Sequence, residues 1–103
     1  MIKHIVLVKF RNDISTAQRN VIYQSVENLK QYVEGWQGFV AGANTTPEVG
    51  MDKGYNGGFV VDFADAASRD AYLIHPEHQK VGANIVASAL NGIDGIMVFD
   101  LTI

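Results

Sequence analysis

The chain has 103 residues, enough for one domain with a single core near the size where burial is barely sufficient. Its formal net charge of −3 and the lack of any Lys/Arg cluster argue against nucleic acid or an anionic membrane as a partner. With no cysteine, a disulfide framework, a thiolate nucleophile and a cysteine metal site are all excluded.

Ile2 to Phe10 is rich in β-branched residues and reads as the first strand. Its charges and short length exclude a signal peptide or a membrane span, so a cytoplasmic location is the default expectation. Arg11 to Ile14 is a polar turn. Ser15-Thr-Ala-Gln18 then has the spacing of a capping box, in which hydroxyl and amide satisfy free N–H groups at a helix start. Ile22, Val26, Leu29 and Val33 continue at helical spacing, and Gly35 is where the first helix should stop. Trp36 to Ala43 reads as the second strand. Asn44 to Asn56 is a long connection and a candidate lid or binding loop. Phe59 to Phe63 forms the third strand, and Ala66 to about Ile74 a short helix. Pro76 cannot continue that helix, yet it suits the first turn of another, which is expected from Pro76 to about Leu90. Gly95 to Ile103 is the last strand.

This order, β-α-β-β-α-β with the second helical segment broken at proline, predicts an α+β, ferredoxin-like domain over residues 1–103. Helices should lie on one face of a four-stranded antiparallel sheet. A half-exposed sheet alternates apolar and polar residues, and these strands do not. His4, Val6 and Val8 share one face while Ile5 and Leu7 occupy the other. In the last strand Ile96 and Val98 oppose Met97, Phe99 and Leu101, and in the third Phe59, Val61 and Phe63 oppose Val60. Helices can cover only one face, so a second copy of the sheet is the simplest cover for the other. A homodimer is therefore expected.

Chemistry concentrates in Ala71-Tyr-Leu-Ile-His-Pro-Glu-His78. His78 would lie at the third position of the last helix, where the positive end of the helix dipole favours a neutral imidazole, the form a general base needs. Tyr72, just before the break, can donate a hydrogen bond to a carbonyl oxygen as charge develops. Proton removal beside a carbonyl while the oxygen is held is aldol or enolisation chemistry, and it requires no metal or cofactor. The alternative is that Tyr72 and His78 only brace two helices. His75 precedes the proline and either caps the helix or bonds a loop carbonyl; contact with a ligand is a further alternative. His75 and His78 alone make a weak metal signal, since a site needs three or four ligands. His4 is either a satisfied core residue or a polar contact in an apolar pocket, and Phe59, Val61, Ile96 and Val98 are either ordinary core or the lining of that pocket. The Gly54 to Gly58 run lacks phosphate-loop spacing and reads as a turn.

Lys3-His-Ile-Val-Leu-Val-Lys-Phe10, Lys53-Gly-Tyr55, Tyr72-Leu-Ile-His-Pro-Glu-His78 and Val98-Phe-Asp100 together resemble the stress-responsive dimeric α/β-barrel (Dabb) family. The match runs over essentially the whole chain in order and spacing. The resemblance implies a ferredoxin-like fold whose sheets pair face to face in a dimer. It also implies either a stress-related role without catalysis or, as in a plant polyketide cyclase of the family, aldol closure of a linear chain. On that likeness Tyr72 and His78 are catalytic and His4 is a pocket residue. The cyclase's pocket tyrosine falls at Val26, with Tyr23 about one turn earlier, and an aromatic on the last helix is replaced by Val81. A histidine common after Gly-Tyr is absent here, where the sequence runs Gly54-Tyr-Asn-Gly57. A pocket for a small apolar or aromatic molecule is thus expected, with a shape of its own.

Overall fold

The computed structural model describes Met1–Ile103 in full. Four strands, β1 (Ile2–Val8), β2 (Trp36–Ala43), β3 (Gly57–Phe63) and β4 (Ile96–Thr102), form an antiparallel sheet in the order β2-β3-β1-β4. Three helices accompany them: α1 (Thr16–Glu27), α2 (Ala66–Ile74) and α3 (Pro76–Ser88). This is the ferredoxin-like α+β architecture expected from the element order. No helix is long and apolar enough to cross a membrane.

The strand register explains the two faces. His4 sits opposite Val61 on one side and Asp100 on the other, and Val6 sits opposite Phe59 and Val98. Side chains alternate across a strand, so Ile2, His4, Val6 and Val8 share the helix-facing side with Phe59, Val61 and Phe63. All seven are buried, and with Tyr23, Val26, Leu29, Tyr72 and Ile85 from the helical layer they make the core.

Local signals set the helix ends. Ser15 caps α1: its Oγ accepts from the Gln18 amide at 3.1 Å, while the Gln18 side chain accepts from the Ser15 amide at 2.7 Å. The regular helix ends at Glu27, earlier than Gly35, and Asn28–Tyr32 continues as a 3-10 turn that still buries Leu29. Gly35 then adopts φ +79°, and a Cβ there would fall 2.1 Å from the Ser68 hydroxyl, so both conformation and space require glycine. Pro76 opens α3 directly after α2, as its fixed φ and missing donor dictate. α3 finishes at Ser88, two residues short of the expected end, and β1 finishes at Val8 rather than Phe10.

Val98 departs from its expectation. It is on the helix-facing side, as the alternation requires, yet 55% exposed. β4 is an edge strand, and α2 packs on β1 and β3, which leaves Val98 uncovered. The opposite face of the sheet has no helix at all. Val40, Met97, Phe99 and Leu101 are exposed there, beside Ile5, Leu7 and Val60.

Candidate functional site

The break between α2 and α3 brings three chemistry-bearing side chains into one cluster. The Tyr72 and His78 rings lie 4.5 Å apart between centroids and are inclined at 59°. His4 presents its ring edge-on to Tyr72 at 5.8 Å, and Phe63 and Trp36 close around the same phenol at 5.1 and 5.9 Å. Tyr72 is therefore buried, with 2% exposure, while His78 on the first turn of α3 is half-buried.

Electrostatics separate the two. Burial alone raises the Tyr72 phenol above its ordinary value, with no charge or hydrogen bond opposing it, so the group stays protonated and remains a donor. Burial lowers the His78 imidazole, the Leu73 carbonyl works against that shift, and neighbouring His4 adds to it. His78 Nδ1 is buried without any hydrogen-bond partner. An unpaired polar atom inside a fold costs stability, and Arg19 Nε is another such atom in this chain.

Two residues of this cluster carry no local signal of function. His4 Nδ1 donates to Asp100 Oδ1 at 2.7 Å, and Arg69 Nη1 donates to the other carboxylate oxygen at 3.1 Å. The chain Arg69–Asp100–His4 thus fixes which nitrogen His4 turns away from the sheet edge, leaving Nε2 for other contacts. Asp100 closes the Val98-Phe-Asp100 motif, but its partnership depends on β1–β4 register between residues 96 positions apart.

The remaining candidates are held by other contacts. His75 occupies the N-cap of α3: its Nδ1 accepts from the Glu77 amide at 3.0 Å, and its ring stacks on Tyr32 at 5.0 Å. Tyr23 is buried among Phe10 and Phe59, and its hydroxyl donates to the Gly42 carbonyl at 3.3 Å. Val26 and Val61 are fully buried, Phe59 nearly so, and Val81 is partly buried against the core. Val98 sits outside on the edge strand. No three His, Cys, Asp or Glu side chains are grouped to hold a metal ion. A hollow of about 840 Å³ is on the helix-free sheet face between Ile5, Leu7, Val60 and the Asn44 to Asn56 loop, and neither Tyr72 nor His78 lines it.

Residues 2–103 match the model of the stress responsive A/B barrel domain. The chain belongs to that family. Olivetolic acid cyclase from Cannabis sativa is 26% identical over 81 residues, covering 79% of each chain. A dimeric ferredoxin-like protein of unknown function from Jannaschia sp. CCS1 superimposes with a TM-score of 0.88 at 32% identity, over 99% of this chain and 98% of that one. Hydroxynitrile lyase from Passiflora edulis shares the fold, with a TM-score of 0.81 at 17% identity, over 99% of this chain and 92% of that one. These likenesses carry the family and the fold, and what this chain does has to be argued from its own side chains.

Proposed function

We propose that this A/B barrel protein is a homodimer that performs cofactor-independent acid/base chemistry on a small apolar or aromatic carbonyl compound. His78 acts as the base and Tyr72 as the hydrogen-bond donor. The observation that carries this reading is the pairing of a buried, unpartnered His78 nitrogen with a phenol held in its protonated form 4.5 Å away, ring to ring. His78 Nδ1, which has no hydrogen-bond partner, is free to take a proton from the carbon beside a carbonyl, and the phenol can hold the oxygen as it becomes an enolate. The proton moves from that carbon to His78, and the electron pair it leaves flows into the C=C bond of the enolate. Attack of the enolate on a second carbonyl would make the reaction a cyclisation or aldol closure; reprotonation at another carbon would make it an isomerisation. Likeness to olivetolic acid cyclase supports the first outcome.

Dimerisation is part of the proposal. Phe99, Met97, Leu101 and Val40 on the helix-free sheet face are exposed in the single chain, and the Jannaschia neighbour is described as dimeric. The test of function is ligand screening by thermal shift with aromatic and polyketide-like carbonyl compounds, followed by turnover of any hit. Stabilisation lost in His78→Ala, with the unliganded melting temperature kept, supports the assignment.

A second reading has its own observation. Tyr72 is wedged against four other rings and only 2% exposed, which suits a brace between helices in a non-catalytic stress-related protein. That reading predicts strong destabilisation by His78→Ala and no ligand.

A further inference from the structure

The same break contains a titratable cap. Most helices are capped by hydroxyl, carboxylate or amide oxygens, which accept hydrogen bonds over the whole neutral range. α3 is capped by an imidazole: His75 Nδ1 accepts from the Glu77 amide at 3.0 Å. That geometry dictates the tautomer. Nδ1 must carry a lone pair, so the ring proton resides on Nε2. A protonated imidazole has two donors and no acceptor, and it would also place positive charge at the positive end of the α3 dipole.

We propose that His75 is a proton-sensitive positioning residue, whose unprotonated Nδ1 holds the first turn of α3, and with it His78, against Tyr72. Protonation of that nitrogen releases the turn. His78 is the third residue of α3, one position beyond the amide that the cap secures, so the turn that loosens is the one carrying the base. Other bonds across the break are indifferent to the ring proton: the His75 amide donates to the Tyr72 carbonyl, and the Gln79 side chain donates to the Leu73 carbonyl, both at 3.2 Å. Release is therefore local rather than global. The titratable and charged groups around His75 are Tyr32, stacked on it from the 3-10 turn, and, on α3 itself, His78 and the Glu77–Lys80 pair joined at 3.1 Å. The sign follows from the cap: the bond is intact at the higher pH and is lost as pH falls and the ring takes a proton. The consequence for catalysis rests on the assignment of His78 as the base, whereas the cap itself does not.

NMR of the unliganded protein tests the cap between roughly pH 8 and pH 5, the range in which imidazoles change charge. Long-range nitrogen–proton spectra should show the Nε2–H tautomer for His75. The Glu77 amide proton should shift in step with the His75 ring, and the His78 ring signals should respond to that same step. His75→Asn supplies a cap that does not titrate, so the Glu77 step should disappear while the fold and the His78 signals at pH 8 are retained. His75→Ala should instead resemble the acid form at every pH. An Nδ1–H tautomer, a Glu77 amide that ignores the His75 titration, or a Glu77 step that persists in His75→Asn would overturn the proposal. Failure to find any ligand or turnover would count against His78 as a base, and the NMR result would stand apart from it.

Discussion

His78 is the residue on which the chemical argument turns, and its substitution separates function from support. It is half-buried with Nδ1 unbonded, so His78→Ala removes little that holds the fold together. The expected cost is within about 1 kcal/mol by thermal unfolding, with ligand binding or turnover lost. Tyr72 behaves differently because its ring fills the core. Tyr72→Phe keeps the packing and removes the donor, whereas Tyr72→Ala opens a cavity among His4, Phe63 and Trp36 and should cost about 3–5 kcal/mol in urea unfolding. The pH dependence follows from burial of His78, which favours its neutral form in the folded chain. The unfolded chain takes that proton first, so stability from this group is intact above the ordinary value of 6.5. It declines as pH falls below that value and levels off once the folded form is protonated too. On the proposed role of His78 as base, the acid limb of kcat/KM should accordingly lie below 6.5. Asp100→Ala leaves the buried His4 Nδ1 without its acceptor at 2.7 Å and should cost about 1–3 kcal/mol. Arg69→Gln, which leaves the His4 bond in place, should cost less.

At the scale of elements, what the sequence declares is local and what it hides is long-range. Ser15 and Gln18 announce a capping box three residues apart, and the structure contains both of its bonds. Ser15→Ala should therefore destabilise by about 1 kcal/mol, measured by the urea midpoint at unchanged slope. Pro76 likewise announces the α2/α3 break, since it cannot continue a helix but can begin one. By contrast, nothing between Asn28 and Tyr32 signals that the first helix tightens into a 3-10 turn, because Leu29 and Val33 keep the four-residue spacing of an α-helix. The role of Asp100 is hidden for another reason: it acquires a partner only when β1 and β4 align, and no spacing rule along the chain encodes that alignment. Exposure of Val98 was illegible for the same cause. Alternation gives the face of a strand, but not its place at the edge of the sheet.

For the whole molecule, the decisive feature is a sheet with two apolar faces and one layer of helices. Phe99 is 55% and Leu101 42% exposed on the uncovered face, and burying side chains of this size contributes roughly 1.5–3 kcal/mol each. A second copy seated there should give a dimer by sedimentation at micromolar concentration, and Phe99→Asp should shift it toward monomer. A wild-type monomer under those conditions would remove the dimer from the account. The acid/base claim is reached most directly in the intact protein, by following exchange of the methyl protons of an aromatic methyl ketone such as acetophenone into heavy water. Wild-type protein should accelerate the exchange, and His78→Ala, folded to the same melting temperature, should not. Equal exchange by the two proteins, or no acceleration by the wild type across a panel of such ketones, would contradict it.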